Sequence, residues 1–284
     1  MFIASNFILS LLQSDQRDTE GNLLFDSLDF AQKAAIKTHD LGVISTPYVI
    51  LGFVVIAMFL LIGMTKMPNV GATTTTSTAS ETFNRLIKNP IYREGVVAQM
   101  FYVGAQIMCW TYIYQYAEGI GMDSVSAGYY QMAAFVLFTV GRAIGTYLLR
   151  FISSGKLLMY FAVLAMVFSL GTIFIQGIIG LYCLVGISFF MSLMFPTIYG
   201  IALGGLSEEQ SKVGSAGLVM AIVGGALMPK LQGIIIDAGG NGVADTSIMG
   251  VSEVNFSFIL PLLCFSFIAW YGFRVFKKYE SISS

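Results

Sequence analysis

Between Gln99 and Trp110, polar and aromatic side chains return every three or four residues, as Gln99, Tyr102, Gln106, Cys109 and Trp110. On an α-helix that spacing gathers them into one stripe. An amide both donates and accepts hydrogen bonds, and a ring offers a flat apolar face. Together they suit a neutral, hydroxyl-rich ligand such as a sugar, whose hydroxyls need two-way hydrogen bonds and whose C–H patches need cover. The same stripe equally suits hydrogen bonds between neighbouring helices, which account for many glutamines in apolar surroundings. Ser188, Ser192, Phe195, Pro196 and Tyr199 share another helical face. Such a face packs into a core as readily as it lines a cavity, and Pro196, which frees backbone groups, adds weight to the cavity.

Two charges sit in apolar runs. Arg142 lies eight residues from Arg150, about 12 Å deeper along a helix. That is far for snorkelling, so it needs an acid or a wet path, and since the apolar runs contain no acid its partner is expected from elsewhere. Lys230, close to Asp237, is expected to snorkel to an interface. Enzymatic chemistry finds no footing: the single histidine, His39, lies in a polar segment, and neither GSAG (Gly214–Gly217) nor GIGMD (Gly119–Asp123) supplies a nucleophile with a base. Cys109, Cys183 and Cys264 lack metal or disulfide spacing and read as buried thiols, and no cofactor is implied.

The elements that carry these residues must cross lipid. Of 284 residues 56% are apolar and only 11% charged, and the mean hydropathy is +0.77. A net charge of −1 provides no basic face for nucleic acid. Seven apolar runs reach the roughly 20 residues that a spanning helix needs: 45–65, 95–116, 128–149, 157–176, 179–203, 214–236 and 256–273. They lack the two-residue alternation of barrel strands, so the expected class is an all-α membrane protein. Residues 1–12 are apolar but too short to span and have no basic segment before them; they read as the end of a helix begun in a missing N-terminal portion. Residues 14–40 read as a polar outer loop with a short helix over 26–37, and GATTTTSTAS (Gly71–Ser80) as a flexible linker. The glycine pairs Gly141/Gly145 and Gly200/Gly204, and Gly217/Ala221/Gly225, read as packing ridges. Tyr112, Tyr114, Tyr116, Trp270 and Tyr271 read as interfacial anchors. Ten Lys and Arg flank the runs on one side (Lys66, Arg85, Lys88, Arg93, Arg150, Lys156, Lys212, Arg274, Lys277 and Lys278) against Arg17, Lys33 and Lys37 on the other. Because basic residues stay on the cytoplasmic side, the C-terminus is expected there, in a multi-pass protein of the inner or plasma membrane.

VAQMFYVGAQIMCW (Val97–Trp110), GRAIGTYLLRF (Gly141–Phe151), FPTIYGIAL from Phe195, GLVMAIVGGALMPKLQGIIID from Gly217 and STPYVILGF from Ser45 together resemble the fucose/glucose/galactose:proton symporter family of the major facilitator superfamily. The resemblance covers nearly the whole chain. It implies the family's C-terminal six-helix bundle plus its sixth helix and part of its fifth. The domains would be 1–66 as the end of an N-terminal half, 67–93 as a cytoplasmic linker and 94–284 as the six-helix half. The implied function is proton-coupled sugar symport, in which two halves rock around a central site. The alternatives are transport of another neutral solute, or a non-transporting membrane sugar sensor or scaffold. The implied substrate-binding residues are Gln99, Tyr102, Gln106, Trp110, Arg142 and Phe195. Phe195 stands in F-P-T, where the fucose branch has Y-P-T, which is similar to the glucose/galactose members. Gly141, Arg150 and Lys156 match the superfamily's cytoplasmic loop motif, whose basic residues would hold carbonyls or acids at neighbouring helix ends. The implied partners are a sugar, a proton as coupling ion, the lipid bilayer and the missing N-terminal half, which would carry the coupling carboxylates.

Overall fold

A computed structural model describes residues 13, 28–64, 79–240 and 246–283, and divides the chain into two compact units, Met1–Thr74 and Thr75–Ser284. The expected remnant of a fifth helix and most of the GATTTTSTAS stretch lie outside the described residues.

In the first unit, α1 runs from Phe30 to Met64 without a break, around Pro47. A short outer helix and a separate span beginning at Ser45 were expected, and that expectation is corrected. The intervening Thr38–Ile44 contains no proline, and extending a formed helix by a residue costs far less than nucleating a new one. At about 52 Å, α1 is longer than the roughly 30 Å of hydrocarbon. Its apolar side chains from Tyr48 to Leu61 are exposed within their own unit. Towards its start, Asp40 is buried, accepting from the Gln13 N–H at 2.9 Å and facing His39 Nδ1 at 3.2 Å.

The second unit begins with α2 (Ala79–Lys88), a helix inside the stretch read as a linker, packed on α9 and α3. Asn89 starts α3 (Pro90–Thr111): its side chain accepts from the Ile91 N–H at 3.1 Å, and Pro90, which has no N–H to leave unpaired, occupies the first helical position. Then come α4 (Ile113–Gly119), α5 (Ser124–Leu148), α6 (Ser154–Phe174), α7 (Ile178–Met191), α8 (Met194–Leu203), α9 (Glu208–Met220), a single 3-10 turn at Ala221–Val223, and α10 (Gly224–Ile236). A two-stranded hairpin, β1 (Ser247–Ile248) with β2 (Val251–Ser252), precedes α11 (Glu253–Ser257) and α12 (Ile259–Ser283). Gly121, at φ +81°, makes the turn into α5, whose first N–H groups Asp123 caps from Ser126 back. The Ser126 side chain and N–H hold the Asp123 carboxyl below the usual range.

Among the described residues, six helical stretches are long and apolar enough to cross a membrane: Phe30–Leu61, Ser124–Leu148, Ser154–Phe174, Ile178–Leu203, Glu208–Ile236 and Glu253–Lys278. A seventh is the α3–α4 pair, bent by 40°. All seven apolar runs therefore fall on helices. Two of the breaks have a proline cause: α7 ends at Met191 and α11 at Ser257, and Pro196 and Pro261, each the third residue of the next helix, lack the N–H that would pair with the carbonyls of residues 192 and 257 and crowd that turn with their rings.

Packing places α3 against α8, α10 and α12, α6 against α7 and α12, and α5 against α7. Glycines permit the closest approaches. A Cβ at Gly224 would collide with the Met100 carbonyl, and one at Gly272 would lie 2.8 Å from the Met159 nitrogen. Of the expected ridges, Gly141 and Gly145 meet α7 and Leu193, and Gly225 meets Val103 and Ile107. Gly200 does not fit that reading, because no atom lies within 4 Å of where its Cβ would be.

Several tyrosines expected as interfacial anchors are tied between helices instead. Tyr271 is fully buried and donates to Ile91 O at 3.1 Å, Tyr112 donates to Pro229 O at 2.7 Å, and Tyr116 donates to Ile175 O at 3.2 Å. A buried phenol usually finds an acceptor, and here a main-chain carbonyl of another segment supplies it. Close to Tyr271, Arg274 pairs with Glu94, joining α12 to α3. Near the other end, the buried Asn255 amide donates to Tyr116 Oη and Thr172 O, both at 3.2 Å. Asn255→Leu should leave that hydroxyl and carbonyl short of a donor. The expected cost is about 1–3 kcal/mol, read as a lower melting temperature in detergent.

Candidate sugar site

Two helices carry matching stripes. On α3 it is Gln99, Tyr102, Gln106 and Trp110, at spacings of three, four and four; on α5 it is Gln131, Phe135, Phe138 and Arg142, at spacings of four, three and four. The Trp110 ring makes edge contacts with both Phe135 and Phe138, with centroids at 4.7 Å and 5.1 Å. Its Nε1–H donates to Ser188 Oγ on α7 at 3.2 Å, which fixes the plane of the indole. The Arg142 guanidinium lies over the same Phe138 ring, 5.0 Å from its centroid, and Nε donates to Ser192 O at 3.2 Å. Phe195, on α8, packs edge-on to Tyr102 at 6.0 Å and stacks on Tyr199 at 6.3 Å.

All six residues predicted to bind substrate therefore sit on α3, α5 and α8, and contacts link Trp110 to Arg142 and Tyr102 to Phe195. Their exposure differs. Gln99 and Tyr102 are fully buried, Gln106, Trp110 and Phe195 are half-buried, and Arg142 is exposed. Neither the Gln99 amide nor the Tyr102 hydroxyl has a hydrogen-bond partner among the described residues. If these groups only tied helices together, each would hold a partner across the interface. Leaving one unmade costs about 1–3 kcal/mol, so each group calls for a partner, which an ordered water supplies as readily as a ligand, and Gln115 and Gln232 outside the cluster share this state among the described residues. Within its own unit Arg142 is held by a neutral main-chain oxygen and a ring, in keeping with the absence of an acid from the apolar runs.

Sequence reasoning singled out Arg142 and missed the rest of the α5 stripe. The available signals were helical steps of three and four over 131–142, as on α3, and Phe138 one turn before a deep arginine, where a ring can stack on a guanidinium. Ser192 was read for its side chain, but its main-chain oxygen makes the contact. Gln131 Oε1 is buried and unpartnered among the described residues, like Gln99.

Of the residues matched to the loop motif, Arg150 and Lys156 make their contacts away from this cluster, whereas Gly141 adjoins it beside Arg142. Gly141 is buried against α7, where a Cβ would collide with the Phe189 carbonyl. Arg150 lies 6.0 Å from the Tyr147 ring, and Lys156 lies 6.0 Å from Tyr160 and 5.4 Å from Phe276. Carbonyl or acid partners were expected for both, yet among the described residues their contacts are ring faces. Aromatic side chains flank both helix ends there and cover the cations through their π-faces.

No protein-family model matches the chain. It is 52% identical over 278 residues to an L-fucose-proton symporter of Haemophilus influenzae, covering 98% of this chain and 63% of that relative. It is 32% identical to the L-fucose-proton symporter of Escherichia coli, covering 94% of this chain and 59% of that protein. A glucose/galactose transporter of Brucella abortus matches 63% of this chain at 32% identity and 40% of its own length. Among solved structures, the E. coli fucose:proton symporter FucP (N162A) superposes with a TM-score of 0.68 at 31% identity, covering 96% of this chain and 65% of that one. The chain thus spans about three fifths of the length of these symporters. From the motifs, the helical layout and these similarities together, the chain is a multi-pass membrane protein that belongs to the fucose/glucose/galactose:proton symporter family of the major facilitator superfamily.

Proposed function

We propose that this chain provides the C-terminal half of a proton-coupled sugar symporter that works by alternating access. The observation that carries the reading is the pair of stripes on α3 and α5, joined where the Trp110 ring meets Phe135 and Phe138, with unpartnered buried amide and phenol groups on α3 and an exposed guanidinium on α5. Amides and a guanidinium would hydrogen-bond sugar hydroxyls, and Trp110 and Phe195 would cover the apolar ring face. Gln99, Tyr102, Gln106, Trp110, Arg142 and Phe195 form the proposed substrate set. The fucose name of the 52%-identical relative favours L-fucose; Phe195, which offers no hydroxyl, leans towards galactose or glucose.

Domain roles and orientation belong to the same reading. Residues 1–66 would end an N-terminal half, 67–93 would cross the cytoplasm and 94–284 would form the second half, with the C-terminus cytoplasmic in an inner membrane. Gly141, Arg150 and Lys156 would shape the cytoplasmic ends that part and close. Transporter names throughout the relatives accord with a role other than catalysis.

The experiment is uptake of labelled L-fucose, D-galactose and D-glucose into vesicles carrying the intact transporter, with and without an imposed proton gradient. At least one of the three sugars should accumulate faster with the gradient, and Gln106→Ala should reduce that rate about tenfold without changing the amount in the membrane. Gradient-independent behaviour with all three sugars would overturn the reading.

A further inference from the structure

We infer that Pro196 is a positioning residue for Arg142, acting through the main-chain oxygen of Ser192. The inference rests on the reading of Arg142 as a sugar-contacting residue. In an unbroken helix the carbonyl of residue 192 accepts from the N–H of residue 196. Proline has no N–H, and its ring crowds the carbonyl four residues back and tilts it off the helix axis. The consequence is visible at this position. Helix α7 ends at Met191, α8 resumes at Met194, and the next donor along, the Thr197 N–H, goes to Leu193 O at 3.2 Å.

Ser192 O is left for a donor from another helix, and Arg142 Nε takes it at 3.2 Å. The approach depends on a small residue beside the arginine, since a Cβ at Gly141 would come within 2.7 Å of Ser192 Oγ as well as striking the Phe189 carbonyl. Phe138 closes the other side of the guanidinium. With Nε engaged and one face stacked, the rotamer of a long, flexible side chain is held. Its terminal nitrogens make no other hydrogen bond among the described residues, so two donors in a fixed fork remain for adjacent hydroxyls of a bound sugar. A neutral acceptor does this without cancelling the charge, which a carboxylate partner would do.

The test is a double-mutant cycle in the intact transporter, comparing wild type, Pro196→Ala, Arg142→Ala and the double variant for the KM and Vmax of gradient-driven uptake and for equilibrium sugar binding after purification. Alanine returns an N–H at 196, draws the Ser192 carbonyl back into the helix and releases the guanidinium. Pro196→Ala should raise KM and weaken binding about five- to tenfold while Vmax and membrane content hold. In the Arg142→Ala background it should add nothing further. Pro196→Ser returns the same N–H and replaces the alanine variant if that one fails to reach the membrane. An unchanged KM in Pro196→Ala, or an equal loss in both backgrounds, overturns the inference and leaves the site reading standing. Unaltered uptake in Arg142→Ala overturns both.

Discussion

Gly224→Ala should lower the melting temperature of the protein in detergent by roughly 4–12 °C, the equivalent of about 2–3 kcal/mol for a chain of this size. The added Cβ would occupy the space of the Met100 carbonyl oxygen. That oxygen is part of the α3 backbone and cannot swing aside as a side-chain tip can. Relief therefore requires α10 to move away from α3, and Gly104 lies in the same contact, where a Cβ would sit 2.9 Å from Met228 Cβ. In lipid there is little hydrophobic gain from pressing helices together, so close backbone contact between small residues carries much of the association. Gly200→Ala is the control: with open space around it, its melting temperature should stay within about 2 °C of wild type. Similar melting of Gly224→Ala and Gly200→Ala would refute the packing argument.

Arg142→Ala should reduce sugar uptake about 10- to 150-fold, the range expected when hydrogen bonds to a charged group are removed. Protein stability should change little, because the side chain is exposed and its ties within its own unit are one carbonyl and one ring face. Arg142→Lys should not restore transport. An ammonium has no Nε that can hold Ser192 O while a separate planar fork faces the ligand, and it stacks less well on Phe138. Quantifying transporter in the membrane alongside initial uptake rates separates loss of function from loss of protein. Uptake in Arg142→Ala equal to wild type would remove this residue from the site.

Much of this architecture could be read from residue order because lipid imposes a simple rule. A backbone in hydrocarbon must satisfy its own hydrogen bonds, so each long apolar run has to be a helix. That rule located all seven apolar runs, and the spacing of Gln99, Tyr102, Gln106 and Trp110 assigned them to one face of α3. Boundaries outside the apolar runs followed no such rule. Helix α1 continues through Thr38–Ile44, where hydropathy falls but nothing stops propagation, and α2 forms inside the stretch read as a linker because α3 and α9 give its buried Leu86 a surface to cover.

Residue order also marked the cations and tyrosines as out of place without telling what they touch. Hydropathy treats Tyr116 and Tyr271 as amphipathic, which fits an interface as well as a hydrogen bond to a facing helix end; only the packing of α4 and α12 decides for the carbonyls of Ile175 and Ile91. For Arg142 the sequence established that so deep a charge needs an acid or a wet path, and that the apolar runs hold no acid. The tertiary structure decided on the Ser192 carbonyl and the Phe138 ring. One acceptor exists because a proline sits four residues further along another helix, and the ring lies one turn away on the same helix. Contacts of that kind depend on which helices are neighbours, information that periodicity along a single helix does not contain.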